Sequence, residues 1–137
     1  MQKSCLVIGG SGFLGGYLVN KLLSMDYKVT STYNSQPRKE KSLDPNLSFC
    51  KADICERDEI EGLFSGLDYV FLCVNISPVN LSKEEYKRRI TRINTKGVHN
   101  VAQCMIKYKT KVLVFLSSVA AMRAKTDTAC YDESTSF

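Results

Sequence analysis

Short apolar runs alternate with longer amphipathic segments along the chain. Apolar runs rich in β-branched residues predict strands over residues 4–8, 27–33, 47–51, 68–74 and 111–116. Apolar residues at helical spacing predict helices over residues 13–25, 56–65 and 82–108. Because strands that alternate with helices build right-handed βαβ units, the pattern predicts an α/β fold. We expect a doubly wound parallel sheet of about five strands in the order 3-2-1-4-5.

The length and composition fit a single domain. A chain of 137 residues can bury about two thirds of its unfolded surface, so we expect one domain over residues 1–137. No apolar run approaches the roughly 20 residues that a membrane span needs, and residues 1–4 show no signal-peptide pattern. We therefore expect a cytoplasmic protein with no membrane partner. The six cysteines form no Cys-x-x-Cys pair and there is one histidine, which predicts no metal site.

The formal net charge of +5 comes largely from residues 38–41 and 87–92. Acidic residues are interleaved with these basic ones, and no aromatic stacking platform accompanies them. We therefore expect no nucleic-acid partner. An anionic nucleotide cofactor would explain part of the same excess of positive charge.

Three glycines lie between the first predicted strand and the first predicted helix. A phosphate-binding turn needs a residue free to leave the β conformation, a residue without a side chain beside the pyrophosphate, and a third where helix meets strand. Gly9, Gly12 and Gly15 fit these roles, and Phe13 and Leu14 begin the helix whose N–H groups would face the ligand. The motif predicts a Rossmann-type dinucleotide site; the alternative is a glycine-rich turn that binds nothing.

The spacing Gly-x-x-Gly-x-x-Gly, followed here by further matching motifs, resembles the extended short-chain dehydrogenase/reductase superfamily. The resemblance is to its NAD(P)-dependent epimerase/dehydratase branch, including the dTDP-4-dehydrorhamnose reductase-like group. It covers essentially all 137 residues but only the N-terminal Rossmann half of a typical member. The later strands and the small substrate domain have no counterpart in this sequence.

The resemblance assigns cofactor contacts to residues that follow the third and fourth strands. Asp53 and Ile54 match the family's Asp-hydrophobe pair at the adenine, where Asp53 would accept a hydrogen bond from the exocyclic amine. The alternative for Asp53 is a helix N-cap, which does not exclude binding. Cys73, Val74 and Asn75 occupy the place where small family residues border the cofactor ribose, although two of them replace the usual alanines.

The end of the second strand decides between NAD and NADP, because a carboxylate there binds the adenosine 2′-hydroxyl and repels a 2′-phosphate. This chain has no acid there; it has Tyr33, Asn34 and Ser35, followed by Arg38. Hydroxyl donors and cations suit a phosphate, so NADP is favoured over NAD. The alternative is a solvated basic loop.

The resemblance also places part of a catalytic site at the end of the fifth strand. Ser117 borders the cofactor, and Ser118 is the candidate catalytic residue that hydrogen-bonds the substrate oxygen. Asn94 matches the family's Asn-x-x-Gly element and would brace the nearby backbone. The alternatives are a strand-end hydroxyl for Ser118 and an ordinary helix-face amide for Asn94. After Ser118 no Tyr-x-x-x-Lys pair follows, since Tyr131 has Thr135 at the lysine position.

These observations favour the NADP(H)-binding domain of an oxidoreductase or epimerase that acts on a nucleotide sugar or a similar hydroxyl or keto substrate. The domain is catalytically incomplete as given, so whether the chain itself is an enzyme stays open. The rival interpretation is a non-catalytic NAD(P)-sensing or regulatory subunit. Self-association through the edge strand or the long helices is a further expectation, because the fifth strand is apolar on both faces.

Overall fold

The computed structural model describes residues 2–35, 44–76 and 79–118. The strands are β1 (Ser4–Ile8), β2 (Lys28–Tyr33), β3 (Leu47–Lys51), β4 (Tyr69–Leu72) and β5 (Val112–Phe115). The helices are α1 (Phe13–Ser24), α2 (Arg57–Ile60), α3 (Lys83–Arg92) and α4 (Val98–Tyr108). Within the described residues the strands form one sheet in the order β3-β2-β1-β4-β5, and every neighbouring pair is parallel. The predicted strand order is confirmed.

Alternate residues of the central strand β1 belong to two hydrophobic layers that cover the sheet. Cys5 and Val7 pack with residues of α1, among them Val19 and Leu22. Leu6 and Ile8 point to the opposite face. There they pack with a cluster that includes Ile60, Phe64, Val101 and Cys104. Because β1 is packed on both faces, residue 9, which follows its carboxyl end, has a fixed position at the edge of the sheet.

The second predicted helix is shorter than residues 56–65. The structure has α2 over Arg57–Ile60 and then a 3₁₀ turn over Glu61–Phe64. Gly62 lies within this turn, and a glycine weakens an α-helix by about 1 kcal/mol relative to alanine. The tighter turn places Phe64 in the core, where its side chain is fully buried.

The long helical region is divided into α3 and α4 by a π turn over Ile93–Gly97. Within this turn the Thr95 hydroxyl donates to the carbonyl oxygen of Thr91 at 2.7 Å, a bond that competes with the helical ladder. Gly97 packs so closely on Ile54 that a Cβ would lie 2.5 Å from Ile54 Cδ1. None of the helices among the described residues has the length and apolar character required to cross a membrane.

Strand β5 lies at one edge of the sheet formed by the described residues. Residues 112–116 are apolar, yet their side chains are 38–49% exposed. A flat apolar edge can pair with another chain. Self-association through this edge stays a prediction.

Candidate functional site

A cleft of about 480 Å³ lies at the carboxyl edge of the sheet, between β1 and β4, where the strand order reverses. Ligands of doubly wound sheets bind at this position. Of the residues predicted from the sequence, those that line the cleft are Gly9, Gly12, Tyr33, Asn34, Ser35, Asp53, Ile54, Cys73, Val74 and Asn75. The fold therefore brings together residues from four separate strand ends.

The turn after β1 depends on the conformation of Gly9. Its φ of +83° is one that side chains rarely adopt. The Gly9 N–H donates to Thr32 Oγ1 at 3.2 Å, and its carbonyl oxygen accepts from the Gly12 N–H at 3.0 Å. A Cβ on Gly9 would also lie 3.1 Å from the backbone of Cys73. The turn is thus anchored to β2 and lies directly against the end of β4.

Gly12 is the N-cap of α1 and carries no side-chain cap. The first helical bond runs from the Gly16 N–H to the Gly12 carbonyl oxygen at 2.8 Å, so the earlier amides of the first turn have no partner within the helix. The first turn contains no acidic residue that would repel an anion. A Cβ on Gly12 would meet only Gly9 O, at 3.3 Å, and otherwise open space. Open space beside unpaired amides suits a phosphate group.

Gly15 has a different role from Gly12. A Cβ on Gly15 would lie 2.3 Å from Gly9 O and 2.9 Å from the Cα of Gly10. The absence of a side chain therefore lets α1 pack directly on the turn. Phe13 and Leu14 lie on the outside of this helix, 85% and 53% exposed, and do not line the cleft.

The end of β2 presents polar uncharged side chains. Tyr33 is half-buried, while Asn34 and Ser35 are exposed and face the cleft. The backbone of Tyr33 is held to the next strand because its carbonyl oxygen accepts from the Ala52 N–H at 2.9 Å. Arg38, the fourth residue predicted here, lies outside the described residues.

Asp53 organises the turn that follows β3. One carboxylate oxygen accepts from the Cys55 N–H at 2.8 Å, and the other lies 3.6 Å from the Arg92 guanidinium. The N-cap of α2 is Glu56, which makes no side-chain cap. Asp53 therefore stabilises the turn before the helix and still faces the cleft. The Ile54 carbonyl oxygen accepts from Asn100 Nδ2 at 2.9 Å, a buried bond that sequence reasoning missed.

The end of β4 forms the opposite wall. Cys73 and Val74 are half-buried, and the Cys73 N–H donates to the Ile8 carbonyl oxygen at 2.9 Å. Burial raises the pKa of the Cys73 thiol, so it stays protonated near neutral pH. Asn75 is exposed, and its side-chain oxygen accepts from the Ile76 N–H at 2.8 Å. The wall is thus an uncharged surface.

Besides Phe13, Leu14 and Gly15, three further predicted residues lie outside the lining of the cleft. Asn94 is exposed within the π turn, where its neighbour Ile93 lines the cleft instead. Ser117 and Ser118 are exposed directly after β5. Sequence reasoning also missed several residues that line the cleft: Ile8, Ser11, Thr32, Ala52 and Ile93. Most of them adjoin predicted residues at strand ends, so the rule that ligands bind beyond strand ends would have found them.

The fold and the cleft define a doubly wound dinucleotide-binding type of domain, and the sequence comparison agrees. The sequence model of the NAD dependent epimerase/dehydratase family matches residues 5–137. The chain belongs to this family. Anthocyanidin reductase of Arabidopsis thaliana is 33% identical over 130 residues, which cover 88% of this chain and 37% of that protein.

Two further relatives cover a similar part of the chain. Human sterol-4-alpha-carboxylate 3-dehydrogenase, decarboxylating, is 31% identical over 120 residues, covering 88% of this chain and 30% of that enzyme. The crystal structure of UDP-glucose 4-epimerase from Thermotoga maritima superposes with a TM-score of 0.76 at 29% identity, covering 90% of this chain and 41% of that one. The chain therefore spans less than half the length of these relatives.

Proposed function

We propose that this chain binds NADP(H) in the cleft at the carboxyl edge of the sheet. The observation that carries the proposal is the turn from Gly9 to Gly15, in which an open space lies beside the uncapped first turn of α1. Backbone N–H groups and the positive end of a helix dipole bind a pyrophosphate. The residues present thus fit a dinucleotide, and membership of an NAD-dependent family supports the same ligand.

Each wall of the cleft has a part in this proposal. The first turn of α1 holds the pyrophosphate, the ends of β2 and β3 hold the adenosine, and the end of β4 borders the other ribose. Asp53 accepts from the adenine amine with the carboxylate oxygen that is not engaged by the Cys55 N–H. The cofactor, when bound, supplies or accepts a hydride, and Ser118 hydrogen-bonds the substrate oxygen.

Replacing Gly12 with valine tests the pyrophosphate site. The branched side chain would fill the open space beside the α1 amides, so we expect the affinity for NADP(H) to fall at least about tenfold, as loss of one charge-assisted hydrogen bond does. Calorimetric titration measures both proteins. Gly62→Val is the matched control, because a Cβ there meets nothing within 4 Å. Equal binding by wild type and Gly12→Val, or no binding by wild type, would refute the proposal.

We further propose that NADP binds more tightly than NAD, with Ser35 and Arg38 as contacts for the 2′-phosphate. The described end of β2 carries no carboxylate that would repel this group. An interaction between a cation and a phosphate contributes on the order of 1.5–3 kcal/mol, so Arg38→Ala should weaken NADP binding by about ten- to hundredfold and leave NAD unchanged. Lys28→Ala, at the opposite end of β2, is the control. A tighter NAD complex in the wild type would contradict this preference.

The parent activity in this proposal is hydride transfer on a nucleotide sugar or a similar hydroxyl or keto compound. The names of the relatives support both the reaction and the substrate class. They include a reductase, a dehydrogenase and a nucleotide-sugar epimerase. The catalytic pair of the resembled enzymes has the spacing Tyr-x-x-x-Lys. Tyr17 and Lys21 have this spacing, but they belong to α1 and do not line the cleft.

A further inference from the structure

A second cavity of about 340 Å³ adjoins the cleft on the side of the β2 and β3 ends. Asn34, Asp53 and Ile93 line both cavities. The wall facing them comes from α3, which contributes Arg88, Arg89 and Arg92. A basic wall is therefore built next to the part of the cleft that we assign to adenosine.

The arginines of this wall differ in how they are neutralised. Arg92 pairs with Glu56 and lies 3.6 Å from Asp53, which ties α3 to the turn after β3. Arg89 pairs with Glu85 on its own helix. Arg88 forms no ion pair with any residue that the structure describes. Among the described residues, the cavity thus retains one guanidinium without an ion pair, on a helix that Arg92 ties to the turn after β3.

The side chains of the cavity limit the chemical classes of ligand that it can bind. The Asn34 amide is an uncharged donor, and the charge of the Asp53 carboxylate is offset by the Arg92 guanidinium, which lies 3.6 Å from it. A planar guanidinium binds phosphoryl oxygens through two parallel hydrogen bonds, which an ammonium cannot do. The cavity is therefore suited to a phosphoryl group attached to the ligand in the adjoining cleft.

We infer that Arg88, assisted by Arg89, binds the 2′-phosphate of NADP(H) from α3, in the cavity that Arg88 shares with Asn34 at the end of β2. The inference rests on the proposed function, because it assumes adenosine at the ends of β2 and β3. It adds a specificity-determining residue about fifty positions downstream of Arg38 in the chain. Arg92 is a positioning residue that holds α3 against Asp53 and Glu56.

The test uses three adenosine phosphates as probes: 5′-AMP, 2′,5′-ADP and 3′,5′-ADP. Calorimetric titrations compare the wild type with Arg88→Ala, Arg88→Lys and Lys87→Ala. Lys87 is the matched control, since it is exposed on the same helix and does not line the cavity. Arg88→Ala should weaken 2′,5′-ADP binding at least about tenfold and 5′-AMP binding less than about twofold. The affinity of Arg88→Lys for 2′,5′-ADP should lie between those of the wild type and Arg88→Ala, because lysine keeps the charge and loses the paired hydrogen bonds.

Several results would overturn the inference. The first is an equal loss of affinity for 5′-AMP and 2′,5′-ADP in Arg88→Ala. The second is an equally large loss of 2′,5′-ADP affinity in Lys87→Ala. The third is tighter binding of 3′,5′-ADP than of 2′,5′-ADP by the wild type. Failure of the proposed function looks different, since the wild type would then bind neither 5′-AMP nor NAD⁺. A wild type that binds 5′-AMP, with Arg88→Ala unchanged for 2′,5′-ADP, rejects the role of Arg88 alone. Circular dichroism checks that each variant is folded.

Discussion

A polypeptide of these 137 residues, given NADPH and carbonyl or nucleotide-sugar substrates, is expected to oxidise NADPH no faster than the background reaction. Reduction of a carbonyl requires a proton donor at the developing alkoxide, and general acid catalysis contributes about 10²–10⁴-fold. The Ser118 hydroxyl donates a hydrogen bond, but it is too weak an acid to serve alone at neutral pH. Tyr131 has Thr135 in place of the lysine that would lower its pKa.

Orientation adds to the expected loss of rate. Holding a substrate against the cofactor converts a bimolecular step into an effectively unimolecular one and can supply about 7–11 kcal/mol. We assign no substrate-binding element to the described residues beyond the cleft itself. NADPH absorbance, followed with a panel of substrates, measures the rate. Turnover in the wild type that disappears in Ser118→Ala would show that these residues form a complete enzyme.

Gly15→Ala is expected to lower the free energy of unfolding by about 1–3 kcal/mol, the usual cost of forcing a group into a filled space. The new Cβ would lie 2.3 Å from Gly9 O, a backbone atom of the turn that cannot rotate away. Helix propensity acts in the opposite direction, since alanine is favoured over glycine by about 1 kcal/mol in a helix. A net loss of stability therefore reports the contact with the glycine turn.

Urea denaturation followed by circular dichroism measures this loss of stability. Gly62→Ala is the control, because a Cβ at that position meets nothing within 4 Å. We expect its stability to stay unchanged or to rise by up to about 1 kcal/mol, because alanine is the better helix former. Equal effects at the two positions would contradict the packing role of Gly15.

The strand order could be predicted because each strand is a short apolar run that can be recognised in its own sequence. The runs Ser4–Ile8 and Leu47–Lys51 are observed with the predicted bounds. Alternation with helices then leaves few topologies, since parallel crossovers are right-handed. Gly9, Gly12 and Asp53 could be placed for the same reason: residues that follow parallel strands meet at one edge of the sheet.

The remaining features depend on contacts between distant segments. The π turn at Ile93–Gly97 lies where Gly97 packs closely on Ile54. No local pattern in residues 82–108 reveals this contact. The charge excess around Arg88 was visible in the sequence as a basic segment. Only the fold shows that Arg88 lines a cavity shared with Asn34, because that requires α3 to lie opposite the end of β2.

We expect NADP(H) to occupy the cleft between the ends of β1 and β4. The most direct test is a titration of the ¹⁵N-labelled chain with NADP⁺, followed through the amide resonances. We predict that the largest shifts fall on residues 9–15, 33–35, 53–54 and 73–75, whereas the amides of α4 on the far side of the π turn change little. Saturating NADP⁺ that leaves residues 9–15 unshifted, or that shifts chiefly residues outside the cleft, would contradict the claim.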